Sequence, residues 1–291
     1  MSGNERIIKE FRENNGRVGG VFEGVPMVLL TTAGRRTGKP HTTPVVHLPD
    51  GGRYVVFASN GGGPEHPDWY HNLVASPQVT LETGTDDGHV KPLATRAVVL
   101  EGAERDRLYE RQCRANPAFR TYQEKTARVI PVVALYPLDL SADSERNRMI
   151  GRQLAAHHDD LRARIAEVRA AVEAAANGAP AARPAPDLVR QLHGRCLAVC
   201  YGLQLHHTRE DGSFTAFEQH FPHLAPAIAR LREEHRVVER ALARLERLLA
   251  AEHDDLAALA AELDRVTDGL EEHFAYEEEH LLPALDAPRP S

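Results

Sequence analysis

At 291 residues, with 42% apolar residues and mixed charge, the chain has the size and composition of two ordinary globular domains and not of a disordered protein. A formal net charge of −7 argues against a nucleic-acid binder. The polar start MSGNERIIKEFRENNGRVGG makes no secretory leader, no stretch approaches a membrane span, and three cysteines without framework spacing suit a reducing compartment, so a cytoplasmic protein without a transmembrane segment is expected.

In chain order, Glu5–Asn14 reads as a helix and MVLLTT, Met27–Thr32, as the first strand. The turn AGRRTGKP leads to a second strand, His41–Leu48, and PDGG to a third, Arg53–Ser59. Pro67–Ala75 and Glu104–Ala115 read as helices. Between them, VTLET and Lys91–Leu100 form a strand pair, and VIPVVALYPL closes the series. Asp-Gly and Gly-Gly turns between β-branched runs are hairpin signals, and many short strands with few helices predict a small antiparallel barrel with helices outside it.

After Leu140 the apolar period changes to alternating intervals of three and four, the seam of packed helices. The first seam runs Leu154, His158, Leu161, Ile165, Val168, Val172. The second runs Leu192, Cys196, Val199, Leu203, His206, Glu210. The third runs Leu224, Ile228, Leu231, His235, Val238, Leu242, Leu245, Leu249, and the fourth Leu256, Leu259, Leu263, Val266, Leu270, His273, Glu277. NGAPAARPAP separates the first two. A four-helix bundle, up-down-up-down, is predicted.

Six polar side chains interrupt these seams: His158, His206, Glu210, His235, His273 and Glu277. Counted from the helix ends, at about 1.5 Å per residue, each antiparallel pair puts them at one level. Buried carboxylates need compensating charge, and imidazoles with carboxylates suit two non-haem irons better than a structural zinc. The seam register turns His157 and His207 toward solvent; His220, His223, His253 and His280 are read as surface or helix-end residues. Asp211 and Glu278 are candidates to hold ligand imidazoles from behind. Cys196 and Cys200, one turn apart, are read as core.

HHDDLR, HHTRED, REEHRVV and HFAYEEEHLLPAL resemble, as a set, the helix motifs of hemerythrin-like (HHE) domains, over about residues 148–287. The resemblance implies the same six residues as ligands of an oxo- or hydroxo-bridged diiron centre, and dioxygen or nitric oxide as its small-molecule partner. The third helix offers one seam histidine, with Leu231 four residues before it, which leaves one iron short of a ligand.

In the first half, TTAGRRTGKP places Arg35, Arg36, Thr37, Gly38 and Lys39 on one turn, and FASNGGGPEHPDWYHNL frees backbone N–H groups beside flat aromatic rings. An anionic cofactor pocket follows from that spacing. The segment from VGGVFEGVPMVLLTTAGRRTGKP to HPDWYHNL, with NPAFRTYQEKTARVIPVVAL, resembles the deazaflavin-dependent nitroreductase family, split β-barrel proteins related to flavin-nucleotide oxidoreductases. The resemblance implies coenzyme F-420. The GRRTGK turn would grip its phosphate and acidic tail, Pro44, Ala58, Ser59, Asn60 and Gly61 would line its ring system, and Trp69, Tyr70 and Asn72 would hold the closing segment. Tyr122 and Ser59 are the candidate hydrogen-bond donors to the acceptor, while Phe119 stands where some members carry tyrosine.

These readings combine into a reductase barrel over residues 1–140 and a diiron bundle over 148–287. The barrel passes hydride to a quinone-like or nitro acceptor. A second reading makes the chain a gas or iron sensor or store with a cofactor-binding barrel that does not turn over. A third gives the bundle only a dimerising role. Barrels of this kind often pair to complete a cofactor site, which admits a homodimer.

Overall fold

The computed structural model describes residues 3–141, 143–177, 186–250 and 256–287. The linker at 178–185 and His253 lie outside them. The chain forms two compact units, one of residues 1–138 with Thr208–Ala216 and one of 139–207 with 217–291, so the division does not fall at a single point in the sequence.

Helix α1 (Gly3–Glu13) precedes six strands: β1 (Met27–Ala33), β2 (Pro40–Asp50), β3 (Arg53–Phe57), β4 (Gln78–Gly84), β5 (Val90–Leu100) and β6 (Val132–Pro137). They close into a barrel in the order β1-β2-β3-β6-β5-β4, every pair antiparallel. The continuous apolar runs of β1, β3 and β6 follow from cover on both faces, because successive strand residues point to opposite sides. Val28, Leu30, Val56, Val133 and Leu135 fall in one core with Trp69 and Leu73. Met27 and Leu29 pack with Phe11 of α1. Val55, Phe57, Val132 and Ala134 pack with Leu108 and Phe119 from α3 (Gly102–Ala115) and α4 (Ala118–Glu124). Helix α2 (Asp68–Ala75) supplies Trp69 and Leu73.

Strand β2 changes partners along its length. It pairs with β1 over Pro40–Val46, and with β3 only over His47–Asp50. Pro44, which has no N–H to give a ladder, therefore stands where β2 lacks a second neighbour. The barrel wall is split there.

Four long helices follow: α5 (Ser144–Asn177), α6 (Pro186–His220), α7 (Ala225–Ala250) and α8 (Leu256–Asp286). Their apolar residues join in one core running from Leu161 on α5 to Phe274 on α8. Of the predicted seam positions all but Leu154 and Leu256 are buried. Helix α8 packs along both α5 and α7. The second half is thus a helical bundle, as its apolar period predicts. Cys196 and Cys200 are fully buried core thiols; burial pushes them up to about 11 and about 12. Among the described residues, no helix is long and apolar enough to cross a membrane.

Candidate cofactor cavity and metal centre

A cavity of about 940 Å³ opens at the split in the barrel. Thr43–Val46 of β2 form one wall and Ser59, Asn60 and Gly61 another, with His66, Trp69, Phe119 and Tyr122 around them. The loop after β3 takes an unusual path. Asn60, Gly61 and Gly62 have φ of 49°, 61° and 83°, three successive residues in the left-handed region that asparagine and glycine tolerate best. The predicted strand Arg53–Ser59 stops at Phe57 for that reason. A Cβ on Gly62 would stand 2.8 Å from the Tyr122 carbonyl oxygen, so only glycine lets α4 approach the loop.

One residue that the sequence did not single out holds this loop in place. Arg128 Nε donates to Gly63 O (3.0 Å), Nη1 to Ala58 O (3.0 Å) and to His66 Nδ1 (2.9 Å), and Nη2 to Ser59 O (2.7 Å). The planar fork of a guanidinium serves several carbonyls at once, as a lysine ammonium does not. In its sequence context, EKTARVIP, it reads as a solvated charge.

The residues named for the coenzyme are placed in different ways. Pro44, Ser59, Asn60, Gly61, Trp69 and Tyr122 line the cavity. Ala58 is fully buried in the barrel core, and what it offers is its carbonyl to Arg128. Arg35, Arg36, Thr37 and Lys39 are exposed on a turn closed by Gly34 N–H to Lys39 O (2.8 Å) and Gly38 N–H to Gly34 O (2.7 Å), with Gly38 at φ 72°. Asn72 ties that turn to α2: its Oδ1 accepts from Arg35 N–H (3.0 Å) and its Nδ2 donates to Thr32 Oγ1 (3.2 Å). Tyr70 packs against the barrel core and the His66 ring. Phe119 is buried against Phe57, with Tyr109 Oη donating to its carbonyl (2.8 Å).

In the bundle, two groups of buried donors converge. His158, His206, Glu210 and Glu277 offer ligand atoms that all lie within 4.8 Å of one another, and so do His207, Glu210, His235 and His273. All seven side chains are buried, and Glu210 belongs to both groups. Glu277 bridges them as well, with Oε2 3.4 Å from His158 Nε2 and 3.9 Å from His273 Nε2.

His207 corrects the sequence reading, which turned it to solvent. It is buried, and its ring stacks on His235 with centroids 4.2 Å apart. The helical seam is one residue wide, but two adjacent donor groups are wider. His206 and His207, about 100° apart around α6, face the two groups separately. With His207, the group around His235 and His273 has four donors. The other histidines read as surface residues are exposed (His157, His220, His223) or half-buried (His280).

The bundle shows how it buries a carboxylate where no metal is called for. Glu262 is paired with Arg244 (2.9 Å) and with Arg265. Glu277 lies between imidazoles instead. Five imidazoles around two shared carboxylates fit a pair of borderline transition-metal ions, and they do not fit a four-ligand structural zinc site.

Two imidazoles are held from behind by matching arrangements. Glu278 Oε1 accepts from His158 Nδ1 (2.8 Å) and from Arg162 Nη1 (3.1 Å). Glu234 Oε2 accepts from His273 Nδ1 (2.9 Å), and its Oε1 from Arg230 Nε (2.7 Å). Burial pushes both carboxyls up, but the bonds from histidine and arginine outweigh it and hold both below the usual carboxylate range. Each pair fixes the proton on Nδ1 and turns Nε2 inward. Glu278 fulfils its predicted role, whereas Glu234 was not singled out. Glu278→Gln keeps the shape and loses the charge, so metal affinity is expected to fall about 10–100-fold in competition against a chelator.

Comparison with known proteins agrees with both halves. The model of the F420H(2)-dependent quinone reductase family matches residues 5–137, and that of the hemerythrin HHE cation-binding domain matches residues 149–285. F420H(2)-dependent quinone reductases from two strains of Mycobacterium tuberculosis, CDC 1551 and H37Rv, are each 38% identical over 130 residues, which is 43% of this chain and 83% of theirs. A solved structure titled F420-H2 dependent reductase is 39% identical and covers 38% of this chain and 93% of its own, with a TM-score of 0.34.

Proposed function

The chain belongs to the F420H(2)-dependent quinone reductase family through its first half and carries a hemerythrin HHE domain in its second, and on that premise we propose a division of labour. The barrel is a coenzyme F-420-dependent reductase acting on a quinone-like or nitro acceptor. The bundle holds two irons that bind dioxygen or nitric oxide or exchange electrons.

The observation that carries the enzymatic half is the cavity of about 940 Å³ at the barrel split, walled by a left-handed loop and open to a small acceptor. Reduced coenzyme F-420, when bound, supplies two electrons together as hydride. Ser59, Asn60 and Gly61 would line the ring system, and Pro44 and Trp69 would wall it. Arg35, Arg36, Thr37, Gly38 and Lys39 hold the phosphate and acidic tail, on a turn whose backbone is fixed by Asn72. Tyr122 and Ser59 orient the acceptor by hydrogen bonding. In the bundle, His158, His206 and Glu277 would serve one iron and His207, His235 and His273 the other, with Glu210 common to both donor groups. Bound iron supplies one-electron chemistry and affinity for diatomic gases.

The full chain is expected to oxidise reduced coenzyme in the presence of menadione, read as acceptor-dependent change in coenzyme absorbance. A chain that binds coenzyme tightly and shows no such change is a sensor or store with a binding barrel, and the enzymatic reading is then wrong.

A further inference from the structure

We infer that His66 is a catalytic residue of the barrel: a neutral imidazole, held by Arg128 with its proton on Nε2, that donates a hydrogen bond to the acceptor oxygen on which negative charge develops. The inference rests on the quinone-reductase reading above.

The tautomer follows from the donors available. A guanidinium only donates, so the 2.9 Å contact from Arg128 Nη1 to His66 Nδ1 needs a lone pair on Nδ1. A neutral ring with a lone pair there carries its hydrogen on Nε2. The same guanidinium donates to Ala58 O, Gly63 O and Ser59 O, so it is not free to swing away and let the ring reverse. A second positive charge on the imidazole would face Arg128 directly, with the His71 ring 5.9 Å away. Burial, Arg128 and His71 accordingly hold His66 below its usual range. The ring packs against Tyr70, centroids 4.9 Å apart. His66 lines the cavity together with Ser59 and Tyr122. Their hydroxyl hydrogens rotate to suit a partner, whereas the donor direction of His66 is set in advance, which is what stabilisation of a developing charge requires.

The chemistry balances with the groups named. The hydride from the reduced coenzyme forms an O–H bond at one quinone oxygen, the π electrons of that carbonyl and of the ring shift through the conjugated system onto the other carbonyl oxygen, and the product is the hydroquinone monoanion with coenzyme left oxidised. His66 keeps its proton and stabilises that oxygen. A proton from solvent then completes the hydroquinone.

The test compares His66→Phe and His66→Gln in the full chain, with coenzyme affinity and menadione turnover measured separately. His66→Phe is expected to leave coenzyme affinity within about threefold and to lower kcat about 10²-fold, the loss typical for one such donor. His66→Gln, whose amide N–H can replace Nε2–H, is expected to regain most of that loss. Nitrogen NMR of the wild-type protein is expected to show the Nε2–H tautomer at neutral pH. An Nδ1–H or charged ring, an unchanged kcat in His66→Phe, or equal loss of coenzyme affinity in both variants would each overturn the assignment. An inactive wild type overturns the parent reading along with it; an active wild type with an indifferent His66→Phe overturns this inference alone.

Discussion

Glu210→Ala is expected to strip the bundle of iron at both positions, with affinity lowered by more than roughly 100-fold, the upper range already seen for residues that merely support ligands. Among the described residues, Glu210 is the one found in both donor groups. Its carboxylate also contributes negative charge to a site whose other members on α5, α6 and α7 are imidazoles. The sign of the stability effect separates this account from a structural role. A buried carboxylate without its metal is a cost to the folded state. The metal-free variant should therefore melt no lower than metal-free wild type, while the iron-loaded wild type melts above both through linkage of binding to folding. Iron analysis after dialysis, with thermal melts of loaded and stripped protein, checks both parts. A metal-free Glu210→Ala that melts well below metal-free wild type would mean that the carboxylate is packing, not ligand.

The second large effect belongs to Arg128. Arg128→Met removes the donors to three loop carbonyls and to His66. Hydrogen bonds from a charged donor contribute about 1.5–3 kcal/mol each, and they are not additive within one cluster. A loss of about 2–4 kcal/mol from the barrel is expected on that scale, spread over the loop that shapes the cavity. Coenzyme affinity is expected to fall about 10²-fold as Ser59–Gly61 lose their fixed path, since misplacement of a binding loop by an ångström has consequences of that order. Arg128→Lys should do little better, because an ammonium on a flexible stem cannot hold three carbonyls in one plane. Fluorescence titration with coenzyme and a thermal melt of each variant decide the matter. Full affinity in Arg128→Lys would show that one positive charge suffices and that the fork geometry is irrelevant.

What the sequence discloses depends on how far each constraint reaches along the chain. The helical seams were legible because each is a repeat within one element, so His158, His206, Glu210, His235, His273 and Glu277 could be placed at one level before any helix was seen against another. His207 was not legible by the same rule, since a seam allots one face to the core and a two-ion site needs two. Adjacent histidines followed three residues later by glutamate, His206-His207-x-x-Glu210, were the available sign. Glu234 and Arg128 act across elements: Glu234 from α7 to His273 on α8, and Arg128 back to residues more than sixty positions earlier. Nothing local marks either as more than a surface charge.

The barrel shows the same limit. Its strands were legible from β-branched runs and Gly-rich turns, to within a few residues at the ends. Closure was not, because β3 finds β6 and β1 finds β4 across long stretches of sequence. The helix α4 was also missed: seven residues are too few for a period to declare itself, although it is α4 that brings Tyr122 to the cavity. For the coenzyme residues, Pro44 and Ser59–Gly61 reach the cavity, while Ala58 serves through its backbone alone. A loop motif specifies a backbone path more surely than it specifies which side chains face the ligand.

Anaerobic titration of the metal-free full chain with ferrous iron, followed by metal analysis, reaches the central claim of seven buried donors shared between two ions. Two irons per wild-type chain are expected, with His207→Ala retaining the one on the His158–His206 side and losing the other. A wild-type chain that takes up one iron or none, or a His207→Ala variant that still holds two with unchanged affinity, would contradict it.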